Sequence, residues 1–351
     1  MRQWITAMLV VLLSQIPATA HAKAPDPIIV TKNGAQPQAA MSADGVVHVV
    51  WGANGSIFCA SSKDNGKSFT DPVLVAELPK LALGMRRGPR IAATKDALVV
   101  AAIRSQGDLY GWRSEDGGKT WSKGVVVNDQ PNATREGLFN IAAGPDASLY
   151  AVWLDLRTGK TTVMGSISSD GGKTWQKNVL IYRSPDGHVC ECCHPSVAVD
   201  SKGVAYVMFR NFLGENRDMY LTHSSDGFKT FSEAQKLGEG TWPLNLCPMD
   251  GGSLQVMPNG KVLTAWQRDG RIYRCEPGQK EELIGSGTQP VFIPGQADLV
   301  WTDRDKVIHG KASLSPGAFP AVVASPRNDP LIVFWEVTVQ KEHLIQALRL
   351  D

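Results

Sequence analysis

Beyond residue 22 the 351-residue sequence has no apolar run long enough to cross a membrane. It also has almost no charge imbalance, with 36 Lys and Arg against 34 Asp and Glu for a net charge of +2. Acid and base are intermixed, so nothing points to a nucleic-acid or membrane-surface partner. Convincing helical periodicity is missing, which argues against a helical architecture. Low-complexity segments are missing too, so a packed fold is expected throughout the chain. Strands are suggested instead by runs such as Val46–Val50 and Leu98–Ala102.

Residues 1–22 read as a secretory signal. Arg2 supplies the positive start, Ile5 to Leu13 the short apolar stretch, and Ala20-His21-Ala22 a small-x-small cleavage site. No Cys follows that site to take a lipid. The expected product is a periplasmic or secreted protein, with residues 23–351 as a single domain. Six cysteines in an exported chain are ordinarily read as disulfides.

Four copies of one motif punctuate the first two-thirds of the sequence. They start at Ser62, Ser114, Ser168 and Ser224, which lie 52, 54 and 56 residues apart. Each pairs Ser with an Asp two positions on and closes on an aromatic: Phe69, Trp121, Trp175 and Phe231. The Ser and Asp side chains suit a tight turn, where Gly permits a positive φ. A fixed period of this size means one supersecondary unit stacked many times. A second marker runs further. Apolar strands ending in a bulky residue recur at Trp51, Ile103, Trp153, Phe209, Trp266, Trp301 and Trp335. Together with the family resemblance of the turn motif, and read as second strands of successive blades, they predict an all-β propeller of seven four-stranded blades. Six blades is the alternative if the Trp301 segment is an insertion. Ile28 to Thr31 is placed to complete the last blade and close the ring.

The S-x-D-x-G-x-T-W pattern resembles the Asp box, or BNR repeat, of the sialidase superfamily, over roughly residues 37 to 245. The resemblance implies that each motif caps the hairpin between the third and fourth strands of a blade. The fourth copy has Phe228 where Gly is usual, which predicts a looser turn. The resemblance also implies sialidase-type glycoside hydrolysis, with Glu136 or Asp155 in carboxylate roles and arginines gripping an acidic sugar. Sialidases use a Tyr nucleophile. Here no Tyr follows Tyr273, which reads as mid-strand, and the nearest match to the family's Arg-Ile-Pro signature, Arg90-Ile91-Ala92, falls after the first Asp box. Activity therefore does not carry over residue by residue.

Propeller geometry puts the loops between strands two and three, and those between blades, on one face, opposite the Asp boxes. On that face the sequence places Arg90, Arg135, Arg157, Arg210, Arg217 and Arg268. Such a rim suits a small anionic ligand through bidentate bonds, although hairpin loops are commonly rich in Arg anyway. The same face carries Cys190-Glu-Cys192-Cys193-His194 before blade four and Cys247-Pro-Met249 before blade five. In an extended chain Cys190, Cys192 and His194 would point together and Cys193 away. With Cys247 and Met249 they form a soft ligand set suited to copper or zinc. Disulfides, such as Cys193 with Cys247 and Cys190 with Cys192, and a redox-active pair are the alternatives. Under the disulfide reading the chain is a scaffold for a periplasmic protein partner. Cys59 and Cys275 read as buried third-strand residues.

Overall fold

The computed structural model describes residues 26–105, 107–324 and 330–350. Every regular element among them is a strand, and none of their segments is a helix long and apolar enough to cross a membrane. The strands form seven four-stranded antiparallel sheets. Blades 1 to 6 use consecutive strands, over residues 35–77, 90–126, 139–182, 196–236, 253–286 and 288–316. Blade 7 combines Ala318–Val323, Leu331–Val339 and Glu342–Leu350 with the first strand, Ile28–Thr31. Ile28 pairs with Ala347 and Thr31 with Ile345, so the ring closes as the sequence predicts. Seven blades, not six, is the outcome: the Trp301 strand is the second of its own sheet.

The marker residues explain why the blades stack. Trp51, Ile103, Trp153, Phe209, Trp266, Trp301 and Trp335 are all buried in second strands. They fall in six of seven apolar clusters, each cluster shared between two neighbouring blades. No blade covers both of its own faces, so the core is the set of seams. First strands approach the first strands of neighbouring blades and line the central axis.

The four Asp boxes sit between third and fourth strands, as expected from the resemblance. In the second, Ser114 Oγ donates to Asp116 Oδ1 at 2.8 Å and accepts from Gly118 N at 2.8 Å. Asp116 also accepts from Lys119 N, Thr120 N and Thr120 Oγ1. The looser turn expected at Phe228 is not found. Phe228 N donates to Ser224 Oγ at 3.1 Å, and Asp226 takes the same three bonds as its counterparts. Phe228 adopts a left-handed φ of 69°. Its ring compensates by packing edge-on against Tyr150 and Phe231. Gly165 on the third strand of blade 3 makes the room, since a Cβ there would come within 2.7 Å of that ring.

Connections between blades come in two kinds. Blades 1 to 4 pass the chain on through residues 78–89, 127–138, 183–195 and 237–252. Blades 5 and 6 do so through one glycine each, Gly287 and Gly317. A Cβ on Gly317 would fall 2.3 Å from Trp335 Cδ1, and one on Gly287 would fall 2.3 Å from Thr302 O. Gly34 occupies the same place before blade 1, against Trp51. Each of the three opens a Gly-x-Gln/Phe-Pro sequence: Gly34-Ala-Gln36-Pro37, Gly287-Thr-Gln289-Pro290 and Gly317-Ala-Phe319-Pro320. Gln36, Gln289 and Phe319 all take positive φ, and the pairing register shifts at each. These bulges turn the chain from the rim into the inner strand.

Candidate functional site: a three-sulfur cup at the blade 4–5 seam

The long segments before blades 4 and 5 meet on the face opposite the Asp boxes. Before blade 4, Val189 bridges to Asn211 and Cys190 N donates to Arg210 O, so the chain runs like a strand up to Cys190. It then turns over residues 191–193. That turn overrides the alternation expected of an extended segment. Cys193 does not point away: Cys190 Sγ lies 3.4 Å from Cys193 Sγ and 3.6 Å from Cys192 Sγ. All three sulfurs lie within 4.8 Å of one another and are buried. They form an eighth buried cluster, separate from the seven seams, with Met249 packed against it.

His194 is the corrected member of the expected set. Its Nδ1 accepts from Gly251 N at 3.2 Å, and it is not part of the sulfur group. Burial, reinforced by Arg86 and Arg90, holds its imidazole neutral. Gly251 is required there, because a Cβ would come within 2.2 Å of His194 O. Cys247 is exposed and lies outside the three-sulfur group. None of the six cysteines is disulfide-bonded, and the pairing of Cys193 with Cys247 is not what the geometry brings together. Cys59 and Cys275 are buried in third strands, as read from the sequence. Burial pushes the Cys59 thiol up to about 12.

The electrostatics of the cup favour a thiolate. Cys190 Sγ lies within hydrogen-bonding distance of the Cys192 and Cys193 sulfurs and accepts from Arg217 Nη1 at 3.0 Å. The two neighbouring thiols, then Arg210 and Arg217, hold its pKa well below the ordinary thiol value, against the opposing effect of burial. Burial keeps Cys193 protonated, and the bond to Cys190 does so for Cys192. Arg210 is fully buried and donates to the carbonyls of Arg217, Gln267 and Asp250. Arg86 pairs with Asp250 at 3.5 Å. Burial raises the Asp250 carboxyl, with Arg86 opposing the rise. The sequence points to neither the Arg86–Asp250 pair nor the place of Cys193 in the cup. The adjacency Cys192-Cys193 is the one available signal, since two sulfurs side by side converge only when the chain turns.

The arginine rim is dispersed. Arg157 donates to Asp155 from Nε at 2.9 Å and from Nη2 at 3.0 Å, and also reaches Asp129 and Asn178. Asp155 accepts from Trp153 Nε1 as well, so this pair ties outer elements of blades 2 and 3 together. Arg268 bonds Glu281 at 2.8 Å and lies over the Tyr273 ring. Arg90 is buried, bonding the carbonyls of Arg86, Gly88 and Pro89. Arg135 is exposed. Glu136 lies close enough to Glu191 to feel its charge, and burial raises its pKa, with Arg87 opposing. The cavity at the axis, lined by Gln36, Pro37, Arg86, Arg90 and Phe319, measures about 10 Å³, room for one water. A larger hollow of about 790 Å³ opens on the Asp-box side around Asp44, His48 and Asp116, away from the cup. There burial holds His48 down to about 4.

The chain is a seven-bladed β-propeller with four Asp-box turns, and its fold is like that of known sialidase and arabinanase structures. A BNR repeat-like domain model matches residues 113–271. A Dyadobacter fermentans protein of unknown function is similar in structure, with a TM-score of 0.59 at 17% identity, covering 94% of this chain and 99% of that one. The Penicillium chrysogenum alpha-L-arabinanase complexed with arabinobiose follows at 0.57 and 14%, covering 93% and 99%. The intramolecular trans-sialidase of Ruminococcus gnavus stands at 0.56 and 12%, covering 92% and 96%. No curated protein matches the sequence. At these identities the likeness concerns the fold alone, which hosts unrelated functions.

Proposed function

We propose that this is an exported soft-metal-binding protein whose site is the sulfur cup of Cys190, Cys192 and Cys193, with Met249 as its apolar and thioether wall. The observation that carries the reading is the convergence of three buried sulfurs from one turn. Thiolates around a shared ion at about 2.3 Å each stand about 3.8 Å apart, close to the spacings found. Thiolate and thioether donors select copper(I) or zinc over magnesium or calcium. Three sulfurs at the core, with Cys247 outside the group, favour copper(I), because zinc in structural sites takes four ligands. Arg210 and Arg217 offset the negative charge of a thiolate-bound ion, as they do for Cys190 alone. Five of the six rim arginines are engaged with carbonyls, carboxylates or the Cys190 sulfur, so a separate anionic ligand has less support.

The test is anaerobic titration of the reduced mature chain with copper(I) and with zinc, followed by elemental analysis after desalting. One copper(I) per chain is expected. Cys190→Ser and Cys193→Ser should each weaken retention at least 100-fold while the fold persists by circular dichroism. Retention of neither ion by a chain with free thiols would remove the reading. The raised Glu136 carboxyl near the same face favours a glycoside hydrolase as the second reading. Turnover of a fluorogenic sialoside or arabinoside, lost in Glu136→Gln, would establish it instead.

A further inference from the structure

The three cup sulfurs are buried, yet the fourth sulfur at the mouth is exposed. Cys247 lies in an exposed stretch over residues 245–247 beside Leu246, which is 72% exposed. Cys247 follows three residues after Leu244, whose carbonyl is bonded by the same Arg217 that bonds Cys190, and it lies outside the three-sulfur group. A storage site closes all its ligands around the ion, and burial then slows exchange. A site built to pass an ion on needs one donor that a partner can reach and that also reaches an inner ligand. We infer that Cys247 is an exchange ligand, and that the partner is a protein presenting its own thiolates, which receives the ion from the cup or delivers it. This inference rests on the metal-binding reading above.

The surroundings support an arm rather than a fixed fourth ligand. Arg217 spans the two parts: Nη1 donates to Cys190 Sγ at 3.0 Å and Nε to Leu244 O at 3.0 Å. Arg217 N also donates to Trp242 O, and Asn216 bridges to Pro243. The stretch leading to Cys247 is thereby referenced to the cup by one side chain and two backbone contacts. Between Leu244 and Asp250 no further backbone bond ties it down among the described residues. Arg217 is a positioning residue, and its guanidinium lies over the Phe212 ring at 4.9 Å.

The transfer is ligand exchange without electron movement. Cys247 forms a metal–sulfur bond as Cys193 releases one, leaving the ion on Cys190, Cys192 and Cys247 at the mouth. A partner thiolate then forms a bond as Cys192 releases, and a second partner thiolate forms one as Cys190 releases. Cys247 releases last and takes a proton from water, so three-coordinate copper(I) ends two-coordinate on the partner's thiolates. The proton given up by the entering thiol goes to the leaving thiolate, and copper stays copper(I).

The experiment uses the reduced mature chain loaded with one equivalent of copper(I), mixed with excess Cys-Gly-Gly-Cys peptide under argon. Decay of the copper–thiolate absorption gives the rate. Cys247→Ser should bind the same single equivalent but transfer at least tenfold more slowly. Arg217→Gln should slow transfer by a smaller factor, with Arg217→Lys partly restoring it. Equal rates in the wild type and Cys247→Ser would overturn the inference. Loss of the bound equivalent in Cys247→Ser would overturn it too, by making Cys247 a resident ligand. A wild type that binds no copper(I) at all marks failure of the metal reading itself, read in the loading step before any peptide is added.

Discussion

Blades 1 to 4 each carry an Asp box between their outer strands and hand the chain on through long segments that rise over one face. Blades 5 and 6 carry no Asp box and hand it on through a single glycine pressed against a buried tryptophan or backbone carbonyl. Both halves bury the bulky residues of their second strands. They differ in what fixes the exposed ends. Hydrogen-bonded turn chemistry does so in the first half, and backbone close approach in the second. The long connections can carry chemistry, and the sulfur cup with its arm occupies two of them. One-residue connections have no spare side chain to vary, so the plain side of the ring acts as a frame for the elaborated side.

The largest effect should come from adding one carbon where the frame is tightest. Gly317→Ala places a Cβ against Trp335 in a backbone with φ of 146°, and should lower stability by about 3 kcal/mol or more. Gly84→Ala, in a long connection where the added carbon would meet nothing within 4 Å, should cost about 1 kcal/mol. Urea unfolding of both variants measures the contrast, and similar midpoints would erase the distinction drawn between the two kinds of connection. Phe228→Gly should restore the usual motif and still destabilise, by roughly 3 kcal/mol, because it empties the seam between blades 3 and 4. A gain in stability would mean that backbone strain at that φ outweighs packing.

A smaller loss, about 1–2 kcal/mol, is expected for Asp116→Ala, which removes four hydrogen bonds at an exposed turn. The same carboxylates set an acid limit. Hydrogen bonds from Thr120 and its peptide N–H hold Asp116 down to about 2, and equivalent bonds from Ser68 do so for Asp64. Asp170 also stands at about 2, where its bonds to Thr174 overcome the opposing effect of burial. A lowered folded-state pKa means the stabilisation is complete above the unfolded value near 4 and is lost as pH falls through about 2. Melting temperature should therefore decline over that window, and less steeply in Asp116→Ala. An identical slope in the variant would detach the acid limit from these turns.

The ring is legible in the sequence because its markers are local. Four turn motifs and seven strand-ending bulky residues each report on a neighbouring seam, and counting them yields seven blades. The Gly-x-Gln/Phe-Pro repeat at Gly34, Gly287 and Gly317 is equally visible in principle. It has no polar signature, however, and its meaning depends on a tryptophan from another strand. The cup is legible only in part. Topology brings residues 190–194 and 247–249 to one mouth, but which sulfurs converge depends on a turn over three residues that alternation does not foresee. The arginines mislead for a related reason. Guanidinium groups at loop ends find carbonyls and carboxylates such as Glu281 and Asp155, and no sequence rule separates these from arginines left to meet a ligand.

The closing strand has one further implication. Ile28–Thr31 is among the first parts of the ring to leave the ribosome, while its partner, Glu342–Leu350, is among the last. Until that final strand is made, blade 7 lacks its mate and two strand borders stay open to wrong pairing. The arms of the sulfur cup, by contrast, belong to the middle of the chain and can assemble while synthesis is still under way. A nascent polypeptide would thus acquire its three-cysteine turn before it acquires its circular outline.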